Sequence, residues 1–333
     1  MIKRKQQFFF FLSLLIIFFL FFSCKKEQPL EVNYTITNVN ESINIQRISF
    51  LNDTVGYVCG GIRGQSGYIF KTNDAGSSWQ KIFYNAAYCL YDIVFYNDSI
   101  GFSCGENSLL LKTTNGGLTW VNEQDMQQPY AVGYDGTLRK IFCFDDKMVY
   151  AVGGSGFEIG LAYITYNAGN HWFCTTVDHE VRDVYYTAPL SGIYCGYGTI
   201  FKTTDGANTF TPMPVDNDFF VSMNFITNSI GFACGYNGGI YKTVDGGNSW
   251  ESQLGHNNDI VHTRHFNQIK FINSNEGYAV GNNGLISYTI DGGEHWKEIK
   301  KITDANLFSV WIKNKNEIFI SSTNGTIFKL APR

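Results

Sequence analysis

The chain has 333 residues and a formal net charge of −4, with 28 Phe, 20 Tyr and 34 Gly against 6 Pro. Residues 1–23 hold three positive charges and no negative ones, so their removal takes the net charge to −7. General affinity for nucleic acid is not expected of that balance. The remaining 310 residues can bury a large core and are long for one ordinary domain, a length that suits a single closed repeat array.

The chain opens with Lys3, Arg4 and Lys5, followed by an apolar run over residues 8–22 broken only by Ser13. This reads as a secretory signal, too short for a comfortable bilayer span. The run ends Phe21-Phe22-Ser23-Cys24 before Lys25, Lys26 and Glu27. A small residue directly before a cysteine at the end of such a run resembles the lipobox of bacterial lipoproteins. The resemblance implies cleavage before Cys24, lipidation of its thiol, and an extracytoplasmic protein anchored to a membrane of the cell envelope, with the outer membrane favoured. Ordinary secretion with Cys24 as a spare thiol is the alternative. The reading divides the chain into a signal (1–23), a short tether (24–29) and one domain (30–333).

Beyond the tether, one unit repeats. Its clearest copy, residues 241–250, reads Tyr-Lys-Thr-Val-Asp-Gly-Gly-Asn-Ser-Trp, and its cognates end on Trp79, Trp120, Trp172, Phe210 and Trp296. Successive spacings are 41, 52, 38, 40 and 46 residues, the period of an array in which each unit is one supersecondary module. Each unit begins with an alternating strand around Ile48, Ile93, Ile141, Val184, Met223, Ile269 or Val310. A second strand enters through Gly56, Gly101, Gly192, Gly231 or Gly277, a third ends at Lys71, Lys112, Lys202 or Lys242, and the repeated turn leads into a fourth. Short strands at even spacing predict four-stranded antiparallel blades. There are seven first strands but six turns, because the last unit stops before a fourth strand. The strand-like residues 30–37 supply it, giving an all-β, seven-bladed β-propeller closed by its N-terminal strand.

Cys59, Cys104, Cys195 and Cys234 recur at one place in the unit, where other copies have Val152 and Val280. A site that accepts Val wants a small hydrophobe, and equivalent positions in different blades lie too far apart for a disulfide. Buried free thiols are expected there; Cys89, Cys143 and Cys174 are left open.

The six turns share the pattern Thr-x-Asp-x-Gly-x-Ser/Thr-Trp, with Asp74, Asp205, Asp245 and Asp291 replaced by Asn115 and Asn167 in two copies. Gly76, Gly117, Gly169, Gly247 and Gly293 supply a positive φ. The acidic side chain should accept backbone N–H groups two and three residues on, and the closing aromatic (Trp79, Trp120, Trp172, Phe210, Trp250, Trp296) should pack between sheets. Since Asn preserves the acceptor but not the charge, the position needs geometry rather than acid chemistry or a metal.

This pattern resembles the Asp-box of BNR-type repeats found in sialidases, sortilin-like propellers and family 74 glycoside hydrolases. The longer phrases, including Asp183-Val184-Tyr185-Tyr186 and residues 243–250, look most like the Ycf48/HCF136-like family of photosystem II assembly factors, over residues 45–329. The resemblance implies a propeller that binds a protein partner through an arginine patch. It is specific for fold and much less so for function.

Propeller geometry puts the boxes on one face, and the interblade connections and second-to-third-strand turns on the other, where binding is usually built. Arg47, Arg139 and Arg182 begin inner strands, with Lys140 alongside; Arg264 precedes one, and Arg63 lies in a second-to-third-strand turn. These six could ring one entrance and bind a protein or glycan partner, or be neutralised as ordinary ion pairs by Asp92, Asp178, Glu180, Asp183 and Asp259. His256, Asp259, His262 and His265 have metal-like spacings on a segment that reads better as a solvated loop. No cofactor is implied, and a monomer is expected. A carbohydrate-active enzyme of sialidase or family 74 type is the alternative function. It would require two facing carboxylates, for which Asp92, Glu158, Asp183 and Asp259 are conceivable donors that nothing in the sequence pairs. The reading therefore favours a non-catalytic binding scaffold.

Overall fold

The structure is a computed structural model, and it describes residues 28–122, 136–215, 218–254 and 264–331. From Glu31 onward the described residues form one compact unit, which holds all the strands described. It forms seven four-stranded antiparallel sheets, each a blade. Six blades are built from consecutive strands. In the seventh, Asn33–Asn38 pairs with Thr326–Ala331 from Asn33↔Ala331 to Asn38↔Thr326, so the N-terminal strand is the outer strand of the last blade. Most of its side chains are exposed. Its contribution is chiefly to satisfy the backbone edge that Thr326–Ala331 would otherwise present.

The inner strands are Asn44–Phe50, Leu90–Phe95, Leu138–Cys143, Val181–Ala188, Phe220–Phe225, Phe266–Phe271 and Leu307–Asn314. Neighbouring inner strands pack on one another around a central channel, the last against the first. Alternation in the second and third strands sends apolar side chains to both faces of a blade, so seven buried clusters form, one at each junction. At the ring seam Phe50 meets Phe319, with ring centroids 4.7 Å apart. The thiols of Cys59, Cys104, Cys195 and Cys234 are buried in these clusters, and all seven cysteines among the described residues are free, including Cys89, Cys143 and Cys174. Burial pushes the Cys89 and Cys143 thiols up to about 12, so they are protonated and unreactive at neutral pH.

Two structural devices recur in the blades. The first is a β-bulge near the start of every inner strand, whose extra residues are Gln46, Tyr91, Arg139, Arg182, Val221, Asn267 and Phe308. A bulge re-aims side chains without ending the pairing. The residue after each one belongs to an inner ring: Arg47, Asp92, Lys140, Asp183, Ser222, Gln268 and Ser309. Inner strands do not pair with each other, so their channel-side N–H groups need other partners. Side chains of this ring reach across the junction to provide them. Asp92 accepts from Ile141 N–H (3.0 Å), Asp183 from Met223 (2.8 Å), Gln268 from Val310 (2.6 Å) and Ser309 from Ile48 (3.2 Å).

The second device is the box. Thr72 Oγ1 accepts from Gly76 N–H at 2.9 Å and donates to Asp74 Oδ1 at 2.7 Å. Asp74 in turn accepts the N–H of Ser78, four residues on, at 2.9 Å and the Ser78 hydroxyl at 2.6 Å. The carboxylate therefore spans four residues rather than two and three, because the threonine hydroxyl already takes the amide two residues on and the Asp74 carbonyl takes that of Ser77, three on; in the fourth and fifth blades Asp205 and Asp245 also take the N–H three residues on. Two successive residues are left-handed, Ala75 (φ 58°) and Gly76 (φ 81°), and Ala207 (φ 66°) replaces the glycine in the fourth blade. Each box is also tied to the preceding blade. A Cβ at Gly247 would lie 2.9 Å from Ile193 of the blade before, and Lys202 of that blade donates to the Gly246 carbonyl at 3.1 Å. The box tryptophans sit edge-on to inner-strand rings, as Trp250 does to Phe225 and Trp296 to Phe271.

Candidate functional site

The box turns bond to the first-to-second-strand turns, as in Ala75 N–H to the Thr54 carbonyl and Gly246 to Ser229. The opposite rim is made of second-to-third-strand turns bonded to interblade connections, as in Gly154 to Thr137 and Tyr197 to Glu180. All six cations singled out from sequence lie toward this second face or in the channel below it, and every one has a carboxylate partner.

Arg139 and Arg182 come together. Both donate to Glu180 Oε1, at 2.8 and 3.2 Å, while Glu180 Oε2 accepts from Gly156 N–H at 2.9 Å. Two guanidinium groups on one buried carboxylate leave a surplus positive charge. Burial and then the neighbouring Arg139 pull the Arg182 pKa down against the pull of Glu180. The Arg139 guanidinium lies over the Tyr91 ring, 4.4 Å from its centroid. Arg47 and Lys140 lie deeper, both on Asp92 at 2.7 and 3.1 Å. Arg63 and Arg264 form separate rim pairs with Glu106 (3.5 Å) and Glu298 (2.9 Å). Of the neutralising carboxylates expected, Asp92 and Glu180 take that role. Asp183 instead holds backbone, Asp178 faces His179 at 2.9 Å, and Asp259 lies outside the described residues.

Beside Arg182 is a cleft of about 400 Å³ lined by Tyr197, Phe219, Phe220, Val221, Tyr236 and Asn267. Phe157, Tyr197 and Phe219, from three different connections, meet edge-on with centroids 4.9 to 5.5 Å apart. Tyr236 stacks on His265 at 4.2 Å and accepts its Nδ1 through the backbone carbonyl at 2.6 Å. Phe157 is 58% and Tyr236 42% exposed. Sequence reasoning named the arginines but missed these aromatics, since an aromatic in a polar turn has no periodic signal. Of the histidine constellation, His265 has this local role, while His256, Asp259 and His262 lie outside the described residues.

Of the carboxylates considered for glycoside hydrolysis, Asp259 lies outside the described residues, and the other three are not presented as a facing pair. Asp92 and Asp183 are buried and saturated by structural hydrogen bonds, and Glu158 is exposed in a turn. The glycosidase reading therefore finds no support.

Architecturally this is a seven-bladed propeller whose connection face carries paired arginines beside an aromatic cleft. The family model described as photosynthesis system II assembly factor YCF48 matches residues 210–305, so the resemblance read from the boxes is borne out over that segment. Among solved structures, one described as YCF48 bound to D1 peptide is 16% identical, covering 92% of this chain and 100% of its own with a TM-score of 0.72. YCF48 from Cyanidioschyzon merolae is 17% identical over 90% of this chain and 99% of its own, with a TM-score of 0.68. The WD40 β-propeller domain of Doa1 is 12% identical with a TM-score of 0.69, covering 91% and 98%. At these identities the structural likeness carries the fold alone. No curated protein matches the chain.

Proposed function

We propose that this chain is a non-catalytic binding or assembly scaffold that holds a protein partner on its connection face, with Arg47, Arg63, Arg139, Arg182, Arg264 and Lys140 supplying the positive field. The observation that carries the reading is the Arg139–Glu180–Arg182 cluster beside a cleft walled by aromatic rings, of which Tyr236 is exposed. Arginine and aromatic side chains in one partly dry cleft are the residue types that dominate binding energy at protein interfaces. The matched family model and a similar structure described as holding a D1 peptide support a protein rather than a glycan as partner.

The protein acts outside the cytoplasm, held to a cell-envelope membrane through lipid on Cys24. That residue lies outside the described residues, and metabolic labelling with palmitate tests it: label lost on Cys24→Ala supports the anchor, and an unlabelled native chain overturns it. For the face, crosslinking in native membranes should capture a specific partner that is released by Arg182→Glu and by Phe157→Ala. The second variant alters an exposed side chain and so separates lost binding from lost folding. Capture unchanged in both would remove the connection face from consideration.

A further inference from the structure

The central channel holds a second cavity, also of about 400 Å³, whose lining includes Arg47, Lys140 and Lys270 but one carboxylate, Asp92. Asp92 is saturated. Its oxygens take Arg47 Nε (2.7 Å), Lys140 Nζ (3.1 Å) and the N–H groups of Ile93 and Ile141 (3.0 Å each). The other nearby carboxylate, Asp183, is occupied by Val184 N–H, Met223 N–H and the Ser222 hydroxyl. Lys270 has no ion pair among the described residues; its ammonium sits 5.8 Å from the centroid of the Trp311 ring. Burial, then repulsion from Lys140 and Arg47 against the attraction of Asp183 and Asp92, brings its pKa down to about 8.

Three cations around one satisfied carboxylate leave an uncompensated positive field inside a low-dielectric void, where field lines concentrate. Below the cations the walls are aromatic, with Phe50, Phe95, Tyr96 and Trp311. The lining continues to Leu51 and the exposed Tyr96, past the ends of the inner strands on the box side. We propose that this cavity binds a small organic oxyanion, a carboxylate or phosphate group on a planar apolar body, with the oxyanion among Arg47, Lys140 and Lys270 and the body against the rings. An oxyanion there supplies the charge the ring lacks, and the rings cover an apolar body no wider than the channel. The cavity opens on the box side, away from the arginine cleft; it shares Arg47 and Lys140 with the positive field proposed there, whereas Lys270 belongs to this site alone.

Calorimetric titration of the purified protein at low ionic strength tests it with phenyl phosphate, inorganic phosphate and the uncharged benzyl alcohol. Phenyl phosphate should bind saturably at one site, at least tenfold more tightly than either of the others. Lys270→Met should weaken it tenfold or more while leaving the melting temperature unchanged or higher, because that variant removes an unpaired cation. Raising the pH from 7 to 9.5 should also weaken it as Lys270 discharges. Absence of saturable phenyl phosphate binding at millimolar concentration, or equal affinity in Lys270→Met, would overturn the site. Equal affinity for inorganic phosphate would overturn the role of the aromatic walls, and equal affinity for benzyl alcohol that of the cations.

Discussion

Asp183 of the fourth blade accepts the backbone N–H of Met223 in the fifth at 2.8 Å, and its other oxygen accepts its neighbour Val184 at 2.8 Å. One side chain thus satisfies amides in two blades. Asp183→Ala leaves both buried and unpaired, which should cost about 2–4 kcal/mol. Ser309→Ala removes one longer bond, from Ile48, and should cost about 1 kcal/mol. Urea unfolding of the two variants compares them directly, and equal losses would refute the bridging role.

The box aromatic is tested by a contrast the chain already contains. The indole N–H groups of Trp79, Trp120, Trp172, Trp250 and Trp296 are buried without an acceptor among the described residues, and the fourth blade uses Phe210 instead. Trp250→Phe loses area but also an unsatisfied donor, so it should change stability by less than about 1 kcal/mol. Trp250→Ala leaves a cavity beside Phe225 and should cost about 3–5 kcal/mol. Thermal melts of both variants would show the difference.

Acid should loosen some boxes and spare others. The carboxyls of Asp74 and Asp205 are held at about 2, mainly by the hydroxyls of Ser78 and Thr209; Asp245 is also at about 2, where burial, the largest single influence, raises it and is outweighed by the hydrogen bonds from Ser249, Thr243 and Asn248 together. Folded values below the unfolded one mean that the stabilisation is present above pH 4 and lost as pH falls from about 4 to 2. Hydrogen exchange should therefore report faster opening at these boxes at pH 2.5 than at pH 6. The boxes at Asn115 and Asn167 should not gain the same acid dependence.

Lys270 carries the opposite sign. Its folded pKa of about 8 lies below the ordinary lysine value of 10.5, so the cost of keeping it charged is full below pH 8 and is shed between 8 and 10.5. Lys270→Met should therefore stabilise the ligand-free protein by about 1–3 kcal/mol at pH 7, allowing for partial solvent screening. The advantage should shrink steadily as pH rises toward 10.5, as measured by denaturant midpoints. A difference that stayed constant with pH would mean that the charge is not the cause.

The blades were legible because their signals are local. Glycines entering second strands, lysines ending third strands and the Thr-x-Asp-x-Gly turn recur at fixed offsets, and even the strand exchange could be inferred from an excess of inner strands over boxes. The inner ring was not legible. Arg47, Asp92, Lys140, Asp183, Ser222, Gln268 and Ser309 share a structural level but no single residue type, because Asp, Ser and Gln can each accept an amide across the junction while Arg47 and Lys140 pair with Asp92. The partners of the arginines were legible in part. Asp92 and Glu180 lie close in sequence to an inner-strand start, whereas Glu106 reaches Arg63 from the neighbouring blade and Glu298 reaches Arg264 from the outer strand of the sixth. Phe157 and Tyr236 lie in turns with no periodic signal, and only the folded ring sets Phe157 beside Tyr197 and Phe219, and Tyr236 beside His265.

The thiols of Cys59, Cys104, Cys195 and Cys234 face inner-ring residues Arg47, Asp92, Asp183 and Ser222 in strand register, one in each of four blades. Burial holds all four far above the ordinary thiol range, so each is silent toward alkylating reagents while its own junction is shut. The chain thus has four built-in clocks at known addresses around the ring. The order in which they start to run under mild denaturant would name the seam at which the circle first breaks.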